Sequence, residues 1–287
     1  MLEHLRSGSV LASIMMSEPP PPLVLLIEGP DDDALLGGHL APGVISIVCG
    51  GRKTVIDAVK GAEEVGWTHV LGLVDRDLVP EIDGPESLPT GVVVTDAYDL
   101  TADVAAAKPG AIGQALTAHA YVEARRVTQA RSEPIETSVL DLATRFAGVR
   151  IVVQRREHPV VLGGFDFRRV LDSEYRTLDA SGFVDALRVT DTNFAFTEEM
   201  REEFADSIAR SAGRRHLAGG HDIAAAAFGI ATKAGARRFS KEGLERTIRA
   251  FAECAVLRTI ACLVALQALA AERQSVPMFD CFSDAPA

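Results

Sequence analysis

Four apolar runs of strand length, Leu23 to Ile27, Val44 to Val48, Val70 to Val74 and Val92 to Val94, each end at a corner of glycine, threonine or carboxylate. Between them lie segments of helical character, from Asp32 to about Leu40 and from Lys53 to Val65, and a further helix begins near Leu100. Near-continuous apolar strands alternating with helices are what a parallel sheet covered on both faces requires, because neither side of such a strand meets water. The alternation predicts an α/β fold with a parallel sheet flanked by helices. Four consecutive prolines, Pro19 to Pro22, cannot join a helix and stay extended. Residues 1–22 therefore read as an N-terminal extension with a linker, dispensable or contacting another copy, and the folded body begins at Leu23.

Further along, Pro80 to Pro89 is rich in Pro, Asp, Glu and Gly and reads as a surface loop. Ala111 to Arg131 and Val139 to Phe146 read as helices, Val149 to Val153 and Val160 to Leu162 as β-like runs, and Asp166 to Leu171 as the start of a helix. Beyond Ser181 the pattern is helical, over Gly182 to Leu187, Glu198 to Ser211, Ile223 to Lys233 and Lys241 to Ala271. This divides the chain into an α/β domain over 23–135 and a mainly helical C-terminal region over 136–287. Cys254 to Ala270 is apolar, but Arg258 and Gln267 interrupt it and it is short for a membrane span. It predicts a buried helix, or one that contacts a second subunit, and no membrane association.

A chain of 287 residues with 47% apolar residues buries a sizeable core. Its net charge of −11 excludes a generally basic nucleic-acid binder, so any polynucleotide must meet a local patch. Paired arginines, such as Arg155-Arg156 and Arg214-Arg215, are candidates for such a patch or simply solvated faces. Cys49, Cys254, Cys262 and Cys281 form no CxxC pair, read as reduced thiols, and imply a cytoplasmic location.

Ligands of open parallel sheets gather at the carboxyl ends of the strands. Glu28, Asp75 and Asp96 stand at such ends. Mg²⁺ takes oxygen ligands, commonly one or two carboxylates with water and substrate phosphate, and Asp75 and Asp77 suit it. Glu28 then shares the metal or acts as general acid/base. Asp31 or Asp32 is expected to cap the helix after Pro30. Gly50-Gly51-Arg52-Lys53-Thr54 lacks GxxxxGK[ST] spacing, which argues against an ATPase. Gly50 and Gly51 permit either a plain turn or one whose N–H groups face a phosphate, with Lys53 as counter-charge. His221 is open between substrate contact and a structural role, with Asp222 as a helix cap.

EGPDDD after the first strand, GGRKT after the second, GLVDRD over the third and VVTDAYDL over the fourth resemble the Toprim fold, in the DUF4435 branch related to the overcoming-lysogenization-defect nucleases. The resemblance covers about Leu23 to Val104, with fainter landmarks at Gly164 to Phe167 and Gly220 to Asp222. It implies a Mg²⁺- or Mn²⁺-dependent nuclease acting on DNA or RNA in anti-phage defence, often with an ATPase partner. Glu28, Asp75 and Asp77 would be its acidic set. Thr101 stands where that branch commonly has a Glu, leaving Asp99 or Asp103 as a substitute ligand.

Overall fold

The computed structural model describes residues 8–10, 12, 21–157, 162, 165–190 and 197–282, which form two compact units. The first comprises the chain through Arg76, then Pro85–Ala107 and Ala252 onward. It runs β1 (Leu23–Ile27), α1 (Pro30–Leu36), β2 (Val44–Val48), α2 (Arg52–Glu64), β3 (Val70–Val74), β4 (Val92–Val94) and α3 (Leu100–Ala107). The four strands are the four predicted runs, residue for residue. All pair in parallel, in the order β2-β1-β3-β4. Every residue of β1 and β3 is buried, whereas the edge strands β2 and β4 are partly exposed. The continuous apolar runs are thus the central strands, as burial on both faces demands.

α2 lays Val55, Ala58, Val59 and Ala62 into the core, the spacing of a single helical stripe. Val10 is buried in the same cluster with Val24, Leu26 and Val70, so this part of the N-terminal extension is core rather than dispensable. The predicted helix from Asp32 to Leu40 starts earlier and tightens to a 3₁₀ turn over Gly37–His39.

The second unit, Asp77–Gly84 with Lys108–Phe251, is helical. It contains α4 (Ala111–Arg131), α5 (Ile135–Arg155), α6 (Ala180–Thr190), α7 (Glu198–Ser211), α8 (Gly220–Lys233) and α9 (Lys241–Arg249). Val149–Val153, expected as a strand, lies inside α5. α5 is buried around most of its circumference, so its second half shows no amphipathic period and its β-branched residues mimic a strand. Val160 and Val161, within the other expected β-like run, and Gly164 fall outside the described residues. The expected helix from Asp166 is a 3₁₀ turn over Phe167–Val170.

The chain then returns to the first unit at Ala252 with α10 (Cys254–Leu257) and α11 (Ala261–Gln274). The single helix expected over Lys241–Ala271 is therefore three, because its first part packs in one unit and its remainder in the other. The units likewise divide at Ala107 and Phe251 rather than at residue 135. α11 is fastened to the sheet unit by Arg273 Nη2 donating to Glu63 Oε1 at 3.2 Å and to Thr90 Oγ1 at 2.7 Å. Among the described residues no helix is long and apolar enough to cross a membrane.

Within the helical unit, α5 and α7 touch at Gly148. A Cβ there would lie 2.6 Å from the Ser207 carbonyl oxygen and 2.8 Å from the Ile208 Cα, both backbone atoms that no rotamer change can move. Ser207 Oγ donates to the Gly148 carbonyl at 2.8 Å across the same contact. Gly148→Ala should force the helices apart and lower stability by about 1–3 kcal/mol, the scale of overpacking, measured as a reduced denaturation midpoint. An unchanged midpoint would show that the helices separate without penalty.

Candidate functional site

The strand order places β1 beside β3 and sends the chain to opposite edges from them. That makes their carboxyl ends the topological switch point, where ligands of open α/β sheets collect. Glu28 follows β1 and Asp75 follows β3. The Asp75 backbone N–H donates to Glu28 Oε1 at 2.8 Å, which turns the Glu28 carboxylate toward the β3 corner. The Glu28 side chain therefore meets the Asp75 backbone, and both residues are half-buried.

Asp77 differs from expectation. Its φ of +50° lies in the left-handed region, so the two-residue alternation that would align it with Asp75 is broken after the strand ends. It is also the first residue of the second unit. Among the described residues, the groups of three ligands within 4.8 Å of one another are His39/Cys254/Cys281 and Asp96/Asp103/Cys262, not Glu28/Asp75/Asp77.

The Gly50-Gly51 turn forms as predicted. Gly50 has φ +79° and Gly51 φ +141°, values that a side chain would strain, and they reverse the chain from β2 into α2. The Gly50 N–H donates to the Glu28 carbonyl at 2.9 Å, tying this turn to the β1 corner. Lys53 is exposed and pairs along α2 with Asp57 at 2.7 Å. The cation that faces the corner is Arg52, which donates to the Asp75 carbonyl oxygen and pairs with Glu86. GGRKT contains this arginine, but a phosphate-loop analogy favours the lysine beside it.

Asp99 caps α3, its Oδ1 accepting from the Ala102 N–H at 2.7 Å. Asp103, in the first turn of α3, is buried and closes the loop after β4: its carboxylate accepts from the N–H groups of Ala97 at 2.7 Å and Asp96 at 3.1 Å. Cys262 Sγ stands 3.5 Å from Asp103 Oδ2, and the Cys262 N–H donates to Asp96 Oδ2 at 3.0 Å. Burial, reinforced by the Asp96 charge, pushes the Asp103 carboxyl from the ordinary 3.8 up to about 6, against the pull of its N–H donors. The Cys262 thiol is likewise pushed up by burial. The geometry of the pair is that of a structural lock between the loop after β4 and the start of α11.

Asp32 Oδ2 accepts from the Gly29 N–H at 3.1 Å, the expected capping role. In the helical unit, His221 Nδ1 lies 3.2 Å from Glu245 Oε2, a bond that holds its imidazole above the ordinary 6.5. Asp222 is not the cap of α8, whose N-cap is Gly219. Its buried carboxylate instead accepts from Arg150 Nη1 at 2.7 Å. The expectation of four reduced cysteines is corrected as well: Cys254 and Cys281 form a disulfide, while Cys49 and Cys262 are free and buried. Residues 27 apart with no CxxC pattern carry no local signal of pairing, because the fold of the C-terminal segment brings them together. The cytoplasmic location inferred from reduced thiols loses that support.

No family model matches the chain, and no curated protein or solved structure matches it.

The raised Asp103 pKa gives a signed prediction. The unfolded chain loses this proton near 3.8 and the folded chain near 6, so the ionised carboxylate weakens the fold. Its contribution to stability should be greatest below about 4 and fall as pH rises to about 6. Asp103→Asn, which keeps a neutral side chain, should remove that descending segment from a pH series of denaturation midpoints. A series identical to wild type would show that Asp103 ionises at its ordinary pH.

Proposed function

We propose that this protein is a metal-dependent phosphodiesterase of Toprim type, cleaving DNA or RNA at the Glu28–Asp75 corner. The observation that carries this reading is the 2.8 Å bond from the Asp75 N–H to Glu28 Oε1 at the switch point of the sheet. It holds the Glu28 carboxylate against the end of β3, where Asp75 stands, and a set of one or two carboxylates completed by water and substrate phosphate is what Mg²⁺ or Mn²⁺ takes. The Asp96/Asp103/Cys262 group fits a hard cation poorly, since it contains a thiol and a carboxylate already engaged by two backbone N–H groups.

When bound, such a cation supplies Lewis-acid stabilisation of charge on the phosphoryl oxygens. The chain's own residues do the rest. Glu28 and Asp75 would hold the cation, and the Glu28 carboxylate accepts the proton of the water that attacks phosphorus as the bond to the leaving oxygen breaks. Arg52, held against the Asp75 carbonyl, places positive charge where phosphate charge develops. The Gly50-Gly51 turn lets substrate phosphate approach the backbone closely. Asp99 remains a proposed ligand, in place of the Glu that Thr101 replaces.

A second reading, a regulatory subunit that docks on an ATPase without cutting, is favoured by Asp99 and Asp103. Both are engaged by backbone N–H groups close to Thr101. Location in the cytoplasm and self-association through the C-terminal helix complete the proposal.

Glu28→Gln separates the two readings well, because the amide oxygen still accepts from Asp75 while the charge is lost. Glu28→Gln and Asp75→Asn should each lower Mn²⁺-dependent cleavage of plasmid DNA and structured RNA by at least about 100-fold, the scale of removing one charge-stabilising group, with unfolding midpoints near wild type. No metal-dependent cleavage by the wild type, alone or with any ATPase encoded beside it, would favour the docking subunit. Equal cleavage by wild type and variants would reject the assigned residues.

A further inference from the structure

A group of thiol and imidazole ligands lies elsewhere in the first unit. His39 Nδ1 stands 3.3 Å from Cys281 Sγ and 3.8 Å from Cys254 Sγ, and the two cysteines are disulfide-bonded with Cα atoms 5.1 Å apart. The three come from separate places in the chain: the 3₁₀ turn after α1, the start of α10 and the 3₁₀ turn over Asp280–Phe282. A disulfide has no need of an imidazole against both its sulfurs. A tetrahedral Zn²⁺ centre, with Zn–N of about 2.0–2.1 Å and Zn–S of about 2.3 Å, sets N···S edges of about 3.5 Å, and the two observed separations bracket that value.

The ligands are held near one another by contacts other than the S–S bond. Leu40 and Phe279 form an antiparallel bridge immediately beside His39 and Cys281, and the Ala41 N–H donates to the Met278 carbonyl at 3.0 Å. Gln267 Oε1 on α11 accepts from the Met278 and Phe279 N–H groups at 3.0 and 3.2 Å. Arg258 donates to the Cys281 carbonyl oxygen, fixing the segment to the end of α10 and bringing a positive charge that favours thiolate. Cys254 is exposed and His39 half-exposed, so a reductant and a cation both have access.

We infer that His39, Cys254 and Cys281 are a thiol-gated Zn²⁺ site, open to metal when the disulfide is reduced and closed to it when oxidised. A dithiol reductant breaks the S–S bond, delivering two electrons and two protons to the cysteines, and itself becomes a disulfide. Zn²⁺ then binds both thiolates and Nδ1, releasing the two thiol protons to solvent and leaving a fourth position for water. Thiolate and imidazole select such a soft-tolerant cation over Mg²⁺. The site is therefore independent of the proposed phosphodiesterase corner and stands or falls separately. In either state the ligands clip the C-terminal segment onto the connection between α1 and β2.

The test uses the full chain, reduced with a dithiol, exchanged anaerobically into metal-free buffer and titrated with Co²⁺. Expected are one Co²⁺ per chain with thiolate-to-metal charge transfer and the visible bands of four-coordinate cobalt, both displaced by Zn²⁺ and both absent from the oxidised protein. Cys254→Ser and His39→Ala should weaken binding by more than the about 10–100-fold that loss of an outer-shell partner costs, while Cys262→Ser, at one of the two cysteines outside the disulfide, should leave it unchanged. Absence of the charge-transfer band in reduced wild type, or its loss with Cys262→Ser rather than Cys254→Ser, would overturn the inference. Reduced and oxidised wild type are compared directly, so a variant that fails to fold leaves that comparison intact.

Discussion

The hydrogen bond from the Asp75 backbone to the Glu28 carboxylate is the contact on which the candidate site depends. It forms only because β1 and β3 are adjacent central strands, and they are adjacent because the chain leaves β1 for one edge and enters β4 at the other. Apolar strands without a polar face drive that arrangement, since both must be covered by helices. A backbone donor at the end of one strand and a glutamate at the end of the next are then placed to satisfy each other. The result is a charged corner at the mouth of an apolar sheet.

Around this corner the acids differ in where their backbone partners lie. Asp32, Asp99 and Asp103 each accept backbone N–H bonds at helix starts or loops. Asp103 does so while buried, which raises its pKa. Glu28 also accepts a backbone bond, but from the neighbouring strand end rather than from its own helix, so its carboxylate is delivered to the switch point. Arg52 links the α2 start to the same corner and brings charge opposite to the two acids.

Much of this is legible in the sequence because it is local. All four strands can be read to the residue, since strand-length apolar runs bounded by Gly, Thr and Asp have few alternatives. The Gly50-Gly51 turn and the Asp32 cap follow from backbone stereochemistry alone. What escapes is non-local or aperiodic. Val149–Val153 looks like a strand because a fully buried helix loses its polar face. The return of Ala252 onward to the first unit, the Cys254–Cys281 bond and the His39 contact depend on tertiary packing, the last across more than two hundred residues, for which neither spacing nor composition carries a signal. Asp77 illustrates the boundary: strand alternation does not extend past the strand's end, where one left-handed residue breaks it.

The most direct measurement is the anomalous scattering of a crystal of this protein soaked in Mn²⁺. The account predicts a peak coordinated by the Glu28 and Asp75 carboxylates at the ends of β1 and β3. Mn²⁺ bound only elsewhere, as at Asp96 and Asp103, with none at the Glu28–Asp75 corner, would contradict it.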